Sequence, residues 1–328
     1  MPRIHLSLPP EQYAEFFTAE QVGRLDALGT VTRDDPGKRC TATELLAYDV
    51  VVTGWGSPAL PGVPPESSAL RLVAHAAGSV RHVVPAALLE HGVQVTQSAA
   101  AMADAVAEFA LTLCLNLLRN VHTYDRAMYT AADWSSREWG GLGGELPAQR
   151  IGVVGASRTG RSFVRMVRAL GAAVTVFDPY LSAADAASLG VTRVDLATLL
   201  ANSDVVVVHA PVTAETTGML GAAELALIPD GGILVNTARS AVLDEKALTA
   251  ELVSGRLRAG LDVFDVEPLP AGHPLLRLPN VIVTPHEAGA SVQSREAQGR
   301  IAVDEIERFL TGQPLRHEVT RDRYDHLA

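Results

Sequence analysis

The sequence predicts an α/β protein of two domains, one of them built on a doubly wound parallel sheet, and three observations carry that prediction. The chain has 328 residues, 48% of them apolar, which is more than one core usually takes up. From Arg150 onward, short runs of Val, Ile and Leu recur with helix-like stretches between them. Those runs are nearly uninterrupted by polar residues, as strands buried on both faces of a parallel sheet must be.

The elements follow in order. In the first hundred residues, apolar runs at 50 to 55 (VVVTGW), 70 to 77 (LRLVAHAA) and 93 to 98 (VQVTQS) alternate with helical stretches such as VPAALLEH, the pattern of an α/β unit. Residues 99 to 120, AAAMADAVAEFALTLCLNLLRN, read as one long Ala- and Leu-rich helix bridging two domains. A turn-rich stretch with Trp and Gly clusters leads to the second series: RIGVVG, AVTVFD, DVVVVHAP, GILVNTA, RAGLDVF and NVIVTP. A last amphipathic helix, SVQSREAQGRIAVDEIERFL, is expected to pack back on the first domain, and the polar tail RDRYDHLA to be loose.

Composition narrows the function. A net charge of −10 argues against a nucleic-acid partner, whose phosphates call for concentrated Lys and Arg. Cys40 and Cys114 are too few for a disulfide framework, the N-terminus lacks a signal peptide's apolar core, and no uncharged apolar stretch approaches the ~20 residues a bilayer needs. A cytoplasmic protein acting on small molecules, with no membrane partner and no metal, is expected.

The segment IGVVGASRTG runs from a strand through a glycine turn into a helix, the context of a dinucleotide fingerprint. Gly155 and Gly160 hold its first and third glycine positions, while Ser157 replaces the second, where the backbone approaches a pyrophosphate closely. Free amides at the helix N-terminus, and the Ser157 hydroxyl as a donor, would meet the phosphate oxygens. Roughly 20 residues on, Asp178 ends the next strand, where a carboxylate accepts the ribose hydroxyls. That acid would repel a 2′-phosphate, and no Arg or Lys immediately follows it, so NAD is expected rather than NADP.

Three further segments end strands: NTARS, DVFDVEP and TPHEAGAS. Ligands in such sheets bind beyond the carboxyl ends of the strands, so these loops can converge. Arg239 offers a planar fork for a carboxylate, His286 a proton that exchanges near neutral pH, and Glu267 a partner that orients the imidazole and favours its charged form.

With AVAEFALTLCLNLLR, HAPVTAETTGML, LVNTARSAVLDEKAL, LDVFDVEP and TPHEAGAS, the chain resembles the D-isomer-specific 2-hydroxyacid dehydrogenases over nearly its whole length. The resemblance implies an NAD-binding Rossmann domain (residues 101–290) inserted in a smaller flavodoxin-like α/β substrate domain (1–100 with 291–328), with the active site in the cleft. It implies Arg239, Glu267 and His286 as the catalytic set, acting on a 2-oxo or D-2-hydroxy acid. It places Gly155, Ser157, Arg158, Thr159, Gly160, Asp178, Ala210, Pro211, Thr237, Ala238, Asp262 and Gly289 around NAD, with Asp262 at the nicotinamide end and His209 beside the adenine. Trp55, Gly78, Ser79 and Arg81 fall at the substrate, Trp55 as a limit on its size. A homodimer formed through the long helix and the arm at 133 to 148 is expected on the same ground.

The chain departs from the family pattern at Ser157, at Ser240 where a glycine is common, at Ala210 where some members have a threonine, and in AAGSVRHVV. Arg81 and His82 give that last loop a basic character suited to a doubly charged acid. Phosphite or formate oxidation on the same fold, and a non-catalytic NAD(H)-sensing scaffold, are the competing readings.

Overall fold

Val205 to Val208 are fully buried, and their side chains alternate between two cores, with Val205 and Val207 in one and Val206 and Val208 in the other. A strand covered on both faces has no polar side to alternate with, which is why the sequence there is a plain run of valines. The computed structural model describes residues 1–35, 37–131, 134 and 141–324, and it resolves into two compact units, Met1–Met102 with Ala290–Ala328 and Ala103–Gly289.

The first unit carries five parallel strands: β1 (Arg3–Ser7), β2 (Thr30–Arg33), β3 (Val50–Thr53), β4 (Leu72–His75) and β5 (Gln94–Gln97). Their order, β2-β1-β3-β4-β5, is the flavodoxin-like one. One face packs Ile4, Leu6, Val50, Val52 and Leu72 against Ala302, Val303 and Ile306 of the helix Val292–Leu310, so this last long helix belongs to the first unit's core. Gly299 lets it approach, since a Cβ there would collide with the Phe16 carbonyl. Each Val or Leu so buried contributes about 1.5–3 kcal/mol.

The second unit has seven parallel strands: β6 (Arg150–Val154), β7 (Ala173–Phe177), β8 (Thr192–Arg193), β9 (Val205–Val208), β10 (Ile233–Asn236), β11 (Arg258–Leu261) and β12 (Val281–Val283). The order β12-β11-β10-β9-β6-β7-β8 is that of a Rossmann sheet with one strand added, and the direction of winding reverses between β6 and β9. The expected fold class is what the chain adopts.

Several expectations need correction. Three strands were expected in the first hundred residues, and there are five among the described residues. In β1, the polar His5 and Ser7 are buried and spoil the apolar run, and β2 is a short, largely exposed edge strand. The two-residue edge strand β8 was not foreseen either. The stretch 99 to 120 is not one helix: a 3₁₀ turn (Ala99–Met102) precedes the helix Ala103–Leu118, and Asn120, at φ 56°, ends it before the helix Val121–Ala131. By length and composition alone Ala99–Leu118 could cross a membrane, yet it carries Asp104 and Glu108 and sends Ala107, Ala110, Leu113, Cys114 and Leu117 into a core. The tail is not loose over Arg321–Tyr324, a helical turn whose buried Tyr324 donates its hydroxyl to the Val84 carbonyl at 2.6 Å. Of the arm expected at 133 to 148, residues 133 and 135–140 lie outside the described residues.

Candidate active site

The glycine turn after β6 is shaped by what it lacks. Gly155 sits at φ 98°, and a Cβ there would lie 2.6 Å from the Ala210 nitrogen and 2.7 Å from its Cα. A Cβ on Gly160 would run into the Gly155 carbonyl. Both glycines are therefore required by close backbone approach. The helix Arg158–Ala169 starts at this turn, and its geometry leaves the amides of Arg158 and Thr159 without an intrahelical acceptor. Asp178 follows β7 and accepts from the Ala156 amide (2.6 Å) and the Tyr180 amide (2.8 Å), one on each oxygen. Its remaining lone pairs suit ribose hydroxyls. A backbone cradle closed to side chains, a helix N-terminus and this acid together fit a dinucleotide.

The Ser157 hydroxyl, expected to meet a phosphate oxygen, here donates to the His209 carbonyl at 3.0 Å and accepts from the Gly160 amide at 3.3 Å. His209, which the resemblance implies beside the adenine, is buried at 4% exposure against Phe163, with ring centroids 5.2 Å apart, and neither ring nitrogen has a partner among the described residues. Burial pushes its pKa down to about 3, so it is neutral. Ala210 and Pro211 continue from it, Ala210 forming the wall that excludes a side chain at Gly155.

After β10, Asn236 folds back on its own loop, its amide donating to the Arg239 carbonyl (2.9 Å) and its oxygen accepting from the Ala238 amide (3.0 Å). That holds Arg239 half-buried at the strand end, its guanidinium donating to the Ala238 carbonyl at 2.6 Å. Burial pulls the guanidinium below its ordinary pKa, and the Glu267 carboxylate opposes the pull. Next to it, the Thr237 hydroxyl is buried without a partner among the described residues.

Glu267 and His286 meet as the sequence suggested, with Glu267 Oε2 and His286 Nδ1 2.7 Å apart. The other carboxylate oxygen accepts the Phe264 amide at 3.0 Å. Partial burial works against the charge on Glu267. The hydrogen bonds from His286 and Phe264, with the charges of His286 and Arg239, outweigh it and hold the carboxyl below its ordinary pKa. With Nδ1–H given to the carboxylate, His286 keeps Nε2 for proton exchange. A cavity of about 580 Å³ borders the pair, walled by Phe264, Leu269, Leu276, Val283 and Pro285, which no sequence pattern announced.

Asp262, which the resemblance implies at the nicotinamide end, is fully buried and accepts the Thr284 hydroxyl (2.5 Å) and the amides of Glu287 (3.0 Å) and Ala288 (2.9 Å). It anchors the loop on both sides of His286, which sits in the left-handed region at φ 58°. Gly289 closes this loop, half-buried, at the end of the second unit.

The remaining candidates belong to the first unit, at the carboxyl ends of neighbouring strands. Trp55, after β3, lies under the Arg295 guanidinium (4.3 Å to the ring centroid) and edge-on to Phe16 (5.7 Å). After β4, Gly78 is buried, Ser79 half-buried, and Arg81 and His82 exposed. Beneath them His75, a residue the sequence did not single out, bonds Thr53 Oγ1 through Nδ1 at 2.9 Å, and burial lowers its pKa to about 4. His5, Asp34 and Cys40 also bring ligand-type atoms within 4.8 Å of one another. Asp34, however, already accepts from His5 (3.1 Å), Ser7 (3.2 Å), Arg39 (3.3 Å) and the Cys40 amide (2.8 Å), and Arg39 supplies the positive charge a metal would bring.

Comparison with known proteins adds the following. A family model described as D-isomer specific 2-hydroxyacid dehydrogenase, NAD binding domain, matches residues 111–288. A D-3-phosphoglycerate dehydrogenase of Methanocaldococcus jannaschii is 31% identical over 296 residues, 90% of this chain and 55% of that protein. The chain thus spans about half the length of the first curated relatives it matches. A glyoxylate reductase of Korarchaeum cryptofilum is 31% identical over 282 residues, 85% of this chain and 84% of its own. Among solved structures, the holo form of D-mandelate dehydrogenase from Rhodotorula graminis superposes with a TM-score of 0.82 at 25% identity, covering 97% of each chain.

Proposed function

The chain belongs to the D-isomer specific 2-hydroxyacid dehydrogenases, and from that premise we propose that it interconverts a small 2-oxo acid and the corresponding D-2-hydroxy acid, with NAD as cofactor. The single observation that carries the reading is the 2.7 Å pair of Glu267 and His286, with Arg239 close enough for its charge to act on Glu267. A carboxylate clamp and a proton carrier at neighbouring strand ends suit a 2-oxo acid, which presents a carboxylate beside a carbonyl.

NAD, when bound, supplies the hydride donor or acceptor. Arg239 would grip the substrate carboxylate in two places and so fix the direction of the adjacent carbonyl. In reduction, His286 would deliver a proton from Nε2 to the oxygen as negative charge grows on it, and Glu267 would stabilise the imidazolium before that step. In oxidation the neutral imidazole would take the hydroxyl proton. The apolar wall of the neighbouring cavity favours a substrate with a carbon side chain over a bare inorganic anion.

The test is NADH oxidation with a panel from glyoxylate, hydroxypyruvate and pyruvate to bulky, dicarboxylic and phosphonate-bearing 2-oxo acids, alongside His286→Ala. Turnover that disappears in the variant is expected. Protein that binds NADH but reduces none of the panel would defeat the reading, and NADH formation from phosphite instead would redirect it. A homodimer is part of the same proposal, supported by the exposed Met128 and Tyr129 on the helix Val121–Ala131, and sedimentation velocity tests it.

A further inference from the structure

We propose that Ser157 is a positioning residue for the cofactor: its hydroxyl is the pin that forms the pyrophosphate-binding turn before NAD arrives, a task the family's usual glycine leaves undone. The turn joins β6 to the helix Arg158–Ala169 and is held from two sides. On the β7 side, the Gly155 amide donates to the Phe177 carbonyl (2.8 Å) and the Ala156 amide to Asp178 (2.6 Å). On the β9 side, the His209 amide donates to the Val154 carbonyl (2.8 Å), and the Ser157 hydroxyl returns the connection by donating to the His209 carbonyl (3.0 Å). Of these four bonds, the last alone comes from a side chain of the turn itself.

The same oxygen accepts the Gly160 amide at 3.3 Å and so caps the helix whose free N-terminal amides would face the bound pyrophosphate. Ser157 itself sits at φ −61°, ψ −179°, an extended conformation open to any residue, so the backbone does not call for glycine at this position. What glycine provides elsewhere is closeness. Here that closeness is partly exchanged for a turn already fixed in shape, and a fixed turn lowers the ordering cost of binding.

The experiment is NADH titration by fluorescence in Ser157→Gly, Ser157→Ala and Ser157→Thr, read beside Tm, with no substrate present, so that it is independent of turnover. One net hydrogen bond is about 1 kcal/mol, or about a fivefold change in affinity. The Gly and Ala variants are expected to bind NADH about fivefold more weakly, and Thr, which keeps the hydroxyl, within about twofold of the parent. Equal or tighter binding in Ser157→Gly would overturn the proposal, and so would a lower Tm with unchanged NADH affinity, the mark of a cap and nothing more. Should the variants not fold, hydrogen exchange in the cofactor-free parent decides: slow exchange of the Gly160 amide is expected, and fast exchange refutes a preformed turn.

Discussion

The cofactor turn and the loop that carries His286 are both strand-end loops of one sheet, yet they hold their shapes by opposite means. The turn at Gly155 to Gly160 is built on missing side chains, because two Cβ atoms would strike backbone. The loop from Thr284 to Gly289 is built on a buried side chain, Asp262, which gathers a hydroxyl and two amides and holds His286 at φ 58°. A turn made by omission is announced locally by its glycine spacing, although the backbone that Gly155 makes room for, at Ala210, comes from the next strand end. A loop made by a buried carboxylate depends on a residue more than twenty positions upstream, so its cause is invisible within the loop itself. The difference teaches that two equally well-defined sites can differ in where their instructions lie.

Four measurements sharpen that contrast, from the largest effect down. His286→Ala is expected to lower kcat about 10³-fold, close to 4 kcal/mol of barrier, while changing Tm little, since the side chain is 46% exposed. A large drop in Tm would mean that the histidine supports the loop and not the reverse. Asp262→Ala should cost about 3–4 kcal/mol of stability, because buried amides lose their acceptor, and kcat should fall with it. Normal stability in urea unfolding would show that the loop holds itself. Gly155→Ala should cost about 2–3 kcal/mol and weaken NADH binding while leaving the Glu267 and His286 pair undisturbed. Loss of the imidazole's NMR signature in that variant would break the independence of the two loops.

The smallest effect is the pH dependence of Glu267. Its folded pKa is depressed, so its contribution to stability is present above its unfolded value of about 4.3 and is lost as pH falls through the folded value. Solvent screens a pair this exposed, so less than about 1 kcal/mol is expected between parent and Glu267→Gln at pH 7. That difference should shrink below pH ~4.3. A difference that grew on acidification would contradict the depressed pKa.

Much of the molecule is legible in the chain because its signals are local. Runs such as Val205 to Val208 declare strands buried on two faces, the glycines at 155 and 160 declare a turn with no room for a Cβ, and Asp178 stands at the end of the strand that follows. Arg239, Glu267 and His286 could be singled out because each closes such a run. These features are announced by residue patterns a few positions long, and periodicity reports on patterns of that kind.

Tertiary structure decided the rest. β1 is hidden by His5 and Ser7, polar residues tolerated in the core because Asp34, from beyond β2, bonds both. The direction of the Ser157 hydroxyl depends on the His209 carbonyl, 52 residues on, and the task of Asp262 on amides that arrive after β12. The sequence by itself determined most of the strand segments, where the dinucleotide turn falls and which side chains end at the sheet edge. Only the folded chain decided what each polar group bonds to, because a hydrogen bond is satisfied by whatever donor or acceptor folding brings within about 3 Å, at any separation along the chain.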